Sequence, residues 1–266
     1  MKSNTDIQYK SELIKLKDEK WLANQRVAGE VAAGALSLLE SLVKEKTTCS
    51  LIELDKIAEE YIRDNGCTPT FLNYKGFPNS VCISVNKQLV HGIPTSYKLM
   101  SGDVVSFDLG ATYEGAVGDT ALTMIYGEAR SQEHVLLVKA TEEALTEAIA
   151  SIKVGKRLGI IGHTISEIAN KYGLSVISNY GGHGIDIAED GSAIPHSQPF
   201  VSNNDIPENG VHFTADITIA IEPLMILGID ATTEVLDDKW TVVCKDYCSH
   251  HEKTIYIHED TVEIIT

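Results

Sequence analysis

The sequence predicts an α+β fold dominated by an antiparallel sheet. Helical and strand-like stretches come in blocks, helix then strand then helix then strand, rather than in the strict alternation of a doubly wound parallel sheet. A tight hairpin signature sits in the middle of the first strand block. No low-complexity segment, long charge block or linker interrupts the chain, so residues 1–266 are expected to form one domain, although the length also allows two compact halves.

The elements follow in order. Apolar positions recur with helical spacing from about Leu16 to Val43, which predicts a long amphipathic helix. A second helix starts at Ser50, where Ser50 and Glu53 form a capping box, and stops at Asn65-Gly66. From Asn79 the texture becomes β-branched: SVCISVN, then GDVVSFDLGATYEGAVGDTALTMIYG, which reads as two strands joined at Tyr113-Glu114-Gly115. Helix returns over Gln132 to Ile152 behind a Ser131 cap, and again from about Ile161 to Tyr172, ended by Gly173. The segment GGHGIDIAEDGSAIPHSQPF reads as a loop. The remaining chain returns to strand through DITIAIEPLMIL, WTVVCKD and HEKTIYIH.

Composition narrows the function. With 43% hydrophobic and 23% charged residues the chain has the make-up of a soluble globular protein. A net charge of −16 argues against nucleic-acid binding, which needs clustered Lys and Arg. The opening MKSNTDIQYKSELIKLKDEK lacks the apolar stretch of an export signal, and no segment reaches the ~18 apolar residues of a membrane span, so a cytoplasmic location is expected. The five cysteines, Cys49, Cys67, Cys82, Cys244 and Cys248, include no C-x-x-C pair and read as buried free thiols. No phosphate loop or nucleophile elbow is present; HEKTI and HEDTV start like a zinc-protease motif but lack its second histidine.

What stands out is acid in apolar surroundings. Asp108 in VVSFDLG and Asp119 in GAVGDTALT lie on the two arms of the hairpin, where aspartate is disfavoured and a buried carboxylate needs a partner. Either alone reads as a solvent-facing residue near a turn. Glu222 is enclosed in ITIAIEPLMI with no basic neighbour, and Glu252 opens a strand, where a solvated end is the simpler reading. Together with an imidazole, these four carboxylates make an oxygen-rich set whose charge two divalent cations would cancel.

The segments GFPNSVCISVNKQLVHGIP, GDVVSFDLGATYEGAVGDTALT, YGGHGI, AIEP and HEKTI, in that order and over nearly the whole chain, resemble type I methionine aminopeptidases. The resemblance implies the pita-bread fold: two pseudo-two-fold halves with a curved antiparallel sheet backed by helices. It implies a catalytic metallopeptidase that removes the initiator methionine from nascent polypeptides, using a hydroxide shared by two divalent ions (Co²⁺, Mn²⁺, Fe²⁺ or Zn²⁺) roughly 3.5 to 4 Å apart. By motif match, Asp108 is the chelating aspartate, Asp119 and Glu252 bridge, and His183 and Glu222 hold the second metal. His91 matches the histidine that contacts the scissile amide, and His196 the one that stabilises the tetrahedral intermediate. Tyr74, Phe77, Cys82 and Trp240 fall where the family lines its methionine pocket. A monomer acting on the N-terminal methionine, with ribosome association, is the expected set of partners.

Departures concentrate near one wall. Asp186 stands where glycine is usual, the spacer from His183 to His196 is longer than the family's, and Ser197-Gln198-Pro199 replaces Glu-Glu-Pro. His250 replaces a usual glutamine, Lys253 a histidine, and Gly110 a threonine. Asp186 and the added loop read either as a modified wall of the pocket or as a surface excursion, the excursion being expected for Ala188 to Ser192 as an exposed turn. Two other readings are a proline-directed aminopeptidase or prolidase of the same fold, which would usually carry a further N-terminal domain, and a non-catalytic nascent-chain-binding homologue, which would be expected to lose ligands.

Overall fold

A computed structural model describes residues 7–9, 12–46 and 48–266, with side chains described at 14–46 and 48–266. The short pair β1 (Ile7–Tyr9) and β2 (Glu12–Ile14) precedes helix α1 (Glu19–Lys44). The helix was expected to start near Leu16. It starts three residues later because Asp18 caps it, accepting from the Trp21 amide, while Lys17 donates its amide to the Asp216 carbonyl at 2.7 Å. Helix α2 (Leu51–Asp64) begins at the expected capping box, where the Glu53 carboxylate accepts from the Ser50 amide and hydroxyl, both at 2.7 Å. Past Asn65, Gly66 takes the left-handed stop conformation at φ 78°.

Next come β3 (Thr68–Pro69), β4 (Val81–Val85), β5 (Gln88–Val90), β6 (Val104–Tyr113) and β7 (Ala116–Ile125). The last two form the expected hairpin: Glu114 and Gly115 both have positive φ, 48° and 80°, as a two-residue turn between right-twisted strands requires. Helix α3 (Gln132–Ala150) carries the Ser131 cap, and α4 (Gly159–Tyr172) stops at left-handed Gly173. The rest of the chain is β8 (Ser175–Val176), β9 (Gly182–Ile187), β10 (Ala193–Val201), β11 (Ile217–Ile221), β12 (Leu224–Ile226), β13 (Thr233–Val235), β14 (Val242–Cys244), β15 (Cys248–His250), β16 (Glu252–Ile257) and β17 (Val262–Ile264).

The expected loop between His183 and His196 is instead the β9–β10 hairpin, with an exposed turn at Ala188 to Ser192 closed by the Ala188 amide on the Ser192 carbonyl at 2.8 Å. The stretch DITIAIEPLMIL divides into two strands in different sheets, broken at Glu222-Pro223, where proline has no amide to continue the ladder.

The main sheet runs β10-β9-β11-β16-β7-β6-β3, with β4 on β6 and β17 on β16, and every described pairing is antiparallel. Two helix pairs back it, each over its own apolar core. Leu39, Leu54 and Ile62 of α1 and α2 pack on Ile83, Phe107 and Leu109. Leu137, Ile161 and Ile165 of α3 and α4 pack on Ile219, Ile255 and Ile257. Helix α1 lies directly on β7 because Gly29 meets Gly118: a Cβ on Gly118 would stand 2.5 Å from the Gly29 Cα. Among the described residues, no helix is long and apolar enough to cross a membrane.

Candidate metal centre and its cavity

The sheet register brings the suspect acids together. Ala121 of β7 faces Asp108 of β6 on one side and Glu252 of β16 on the other. Directly paired residues share a face, and so does Asp119, two residues before Ala121 on the same strand. On the other half, Ala220 of β11 faces His183 of β9 and Thr254 of β16. Thr254 lies two residues from Glu252, and Glu222 two residues beyond Ala220, so His183 and Glu222 project to the same face. The Thr254 hydroxyl ties the halves together, accepting from the Asp119 amide and donating to the Asp119 carbonyl, each at 2.9 Å.

His183 is the hub. Its Nε2 lies 3.9 Å from Asp119 Oδ2, 3.8 Å from Glu222 Oε1 and 3.7 Å from Glu252 Oε1. Its Nδ1 is 3.1 Å from the Gly184 carbonyl, which assigns the proton to Nδ1 and leaves the Nε2 lone pair facing the carboxylates. The flanking glycines do not need positive φ. They are required by close packing: a Cβ on Gly182 would strike the Ala220 carbonyl, and one on Gly184 the Gln198 carbonyl.

Donor atoms of Asp108, Asp119 and Glu252 lie within 4.8 Å of one another, as do those of His183, Glu222 and Glu252, and those of Asp119, His183 and His196. Asp108 Oδ1, Asp119 Oδ1 and Glu252 Oε1 are buried with no hydrogen-bond partner among the described residues. Burial, followed by the neighbouring carboxylates, pushes the pKa of Asp108, Asp119 and Glu252 well above the carboxylate range. Glu222 goes the other way: burial raises it, but the adjacent His250, His183 and His196 outweigh that and hold it below its ordinary value. A cluster that would otherwise have to protonate is one that divalent cations can keep ionised.

The cluster forms the floor of a cavity of about 300 Å³ that also takes in His91, His196, Tyr74, Phe77, Cys82 and Trp240. Phe77 meets Trp240 edge to face at 5.2 Å, and Phe71, Phe77 and Cys82 form one buried apolar cluster against Trp240. His91, at φ 57°, is a non-glycine residue in the left-handed region, of the kind found where a side chain is held for use. Its ring lies edge-on to Trp240 at 6.3 Å and to Tyr180 at 6.1 Å, and burial lowers its pKa, keeping it neutral. His196 stacks 4.4 Å from His183 and 5.3 Å from Tyr74. Burial and then the His183 ring depress its pKa to about 3, yet its surface is open to solvent at the mouth. The imidazole is therefore neutral.

Every residue singled out for a metal, catalytic or pocket role lies at this cavity. Sequence reasoning missed the walls formed by Phe71, Lys75, Val90, Asn179, Tyr180 and Phe200. Tyr180 directly precedes the GGHG motif and carried that signal; Phe200 carried none. The departures resolve differently. Asp186 does not line the cavity, contrary to the modified-wall reading: it lies on the far side of β9, 2.7 Å from Lys17 Nζ and 3.8 Å from Lys15 Nζ. Gly110 has no room for a larger residue, since its Cβ would stand 2.9 Å from the Thr70 side chain. Lys253 points to the opposite face from Glu252. His250, by contrast, belongs to the site, with Nε2 3.3 Å from Glu222 Oε2 and 3.8 Å from Glu252 Oε2.

Comparisons with known proteins agree with this geometry. A model of Metallopeptidase family M24 matches residues 23–263. A methionine aminopeptidase of Mycoplasma capricolum is 41% identical over 256 residues, covering 96% of this chain and 98% of the relative, and one of Clostridium perfringens is 38% identical over 96% and 99%. The crystal structure of a methionine aminopeptidase from Thermotoga maritima superposes with a TM-score of 0.87 at 34% identity, covering 95% of this chain and 99% of that one. A prolidase from Pyrococcus furiosus shares the fold alone, at TM-score 0.68 and 20% identity. By sequence, by the curved sheet with its two helix pairs and by the acid cluster at its centre, this chain belongs to metallopeptidase family M24.

Proposed function

We infer that this chain is a metal-dependent methionine aminopeptidase that removes the N-terminal methionine of nascent polypeptides. Asp108, Asp119, His183, Glu222 and Glu252 hold its divalent cations. One observation carries the reading: five side chains from four strands and one strand break converge on a face where three buried carboxylate oxygens have no partner among the described residues. Two cations fit the donor set, because Glu252 belongs both to the group with Asp108 and to the group with His183, while Asp119 stands beside both Asp108 and His183. The names of relatives at 38 to 41% identity support the substrate class.

When bound there, divalent cations would polarise the scissile carbonyl and acidify a water molecule. The chain's own residues do the rest. Phe71, Phe77, Cys82 and Trp240 enclose the first side chain, and the edges of aromatic rings suit a flexible thioether. His91, neutral and fixed between Trp240 and Tyr180, donates toward the scissile amide. His196, beside His183 at the mouth, offers a hydrogen bond to the oxygen that gains charge.

The test is dialysis against a chelator, then addition of Mn²⁺, Co²⁺, Fe²⁺ or Zn²⁺ with Met-Ala-Ser as substrate. Methionine release restored by a metal is expected. Cleavage that survives chelation, or none with any metal, overturns the reading, and cleavage of Xaa-Pro peptides whatever the first residue would move it to proline-directed chemistry.

A further inference from the structure

We propose that His250 is a positioning residue that braces the outer oxygen of Glu222, so that this glutamate presents a single oxygen to the metal side. The inference rests on the metal-centre reading above. The atoms divide cleanly. Oε1 of both glutamates faces His183, at 3.8 and 3.7 Å, whereas Oε2 of both faces His250, at 3.3 and 3.8 Å. Two imidazoles thus flank the same pair of carboxylates, and of the two only Glu222 comes within hydrogen-bond range of His250. The 3.3 Å separation is within hydrogen-bond range but poorly aligned, so Nε2 of this almost fully buried residue has no formed hydrogen bond among the described residues. A small rotation of the Glu222 carboxylate would complete it. His250 is absent from the sets of donor atoms within 4.8 Å of one another, which separates it from the ligands.

The backbone makes the brace rigid without using the ring. The His250 amide donates to Thr123 Oγ1 at 2.8 Å, and that hydroxyl donates back to the His250 carbonyl at 2.7 Å. The residue is further paired with Leu224 in the β12–β15 ladder, one residue beyond the Pro223 break that sets Glu222. Glu222 has no strand partner of its own at that break, although its carbonyl accepts from Asn203 Nδ2 at 2.9 Å. Its carboxylate therefore depends on a side chain for orientation, and His250 is the donor within reach. A fixed carboxylate loses less freedom when it takes up a cation, so the brace raises metal affinity.

The experiment compares wild-type protein with His250→Gln and His250→Phe, the first keeping an N–H donor and the second only volume. Metal affinity is read by calorimetry, coordination by the visible Co²⁺ spectrum, and folding by the melting temperature of the chelated protein. Because the anchoring hydrogen bonds are made by the main chain, both variants are expected to fold. His250→Phe should lose roughly 10- to 100-fold in metal affinity while His250→Gln stays near wild type, both with the wild-type Co²⁺ spectrum. If His250→Phe binds metal as tightly as wild type, there is no brace. If His250→Gln loses as much as His250→Phe and the spectrum changes, His250 is a ligand and the proposal fails. A wild-type chain that takes up no divalent cation overturns the metal-centre reading itself, which is separable from either result.

Discussion

Asp186 offers the sharpest test, because its place in the sequence and its place in the structure assign it opposite roles. Three residues from His183 and in a position expected to hold glycine, it looks like part of the pocket; in the fold it is 8% exposed and paired with Lys17, whose side chain is 6% exposed. Replacing Asp186 with alanine leaves a buried ammonium without its carboxylate, a change that typically costs about 3 to 5 kcal/mol. The low end applies, since Lys17 Nζ also lies 5.0 Å over the Trp21 ring. At about 2 °C per kcal/mol for a chain of this length, the melting temperature should fall by roughly 6 °C. Thermal unfolding followed by circular dichroism reads the loss, and kcat/KM across Met-Xaa-Ser peptides reads selectivity, which should not change. The double variant Lys17→Met, Asp186→Leu should recover much of the stability, because a well-packed apolar pair replaces the ion pair. A shift in peptide preference with an unchanged melting temperature would refute the assignment and return Asp186 to the pocket.

Three further outcomes follow from the site. Asp108, Asp119 and Glu252 have folded-state pKa values raised by burial and by one another, so the metal-free fold binds their protons more tightly than the unfolded chain does. Their contribution to stability is complete below the unfolded carboxyl range of roughly 4 and is lost as pH rises toward the folded values, so chelated protein should melt progressively lower as pH is raised above about 4 while metal-loaded protein does not; parallel curves would contradict this. His196→Ala should lower kcat by about 100- to 1,000-fold with metal content intact, and loss of bound metal in that variant would make His196 a ligand instead. Phe77→Ala removes a ring that is 3% exposed and packed on Trp240, which should cost about 3 kcal/mol and weaken the preference for methionine over leucine in competition assays; unchanged discrimination would take Phe77 out of the specificity pocket.

Local chemistry explains which parts were legible in the sequence. Capping residues, the Glu114-Gly115 turn and Gly173 act over a few residues, and each marked its element correctly. The start of α1 was misplaced because Leu16 extends the apolar periodicity past the Asp18 cap, while the contact that holds the chain out of the helix before that cap, the Lys17 amide on Asp216, lies across the fold. The β9–β10 hairpin read as a loop because glycine and polar residues mask its alternation; those glycines are fixed by the neighbouring carbonyls of Ala220 and Gln198, which local sequence does not contain. The direction of Asp186 was hidden for the same reason: its partner is Lys17, far away in sequence.

The residues of the candidate metal centre were legible for a different reason. Asp108, Asp119 and Glu222 stood out as acids among apolar neighbours, Glu252 only as one of that set and His183 only through the resemblance, and what joins them in the fold is register. Asp108, Ala121 and Glu252 stand level across three strands, and Asp119 is one pleat away. Because side chains alternate, slipping β16 against β7 by one residue would turn Glu252 to the helix-packed face and bring Lys253 to the carboxylates, substituting a cation for a ligand. The apolar residues that hold the register, Ile255 and Ile257 against α3 and α4 and Phe107 and Leu109 against α1 and α2, alternate with the acids on the same strands. Packing those residues inward therefore turns the acids toward the cavity, so the core that stabilises the sheet also determines which atoms a metal would meet.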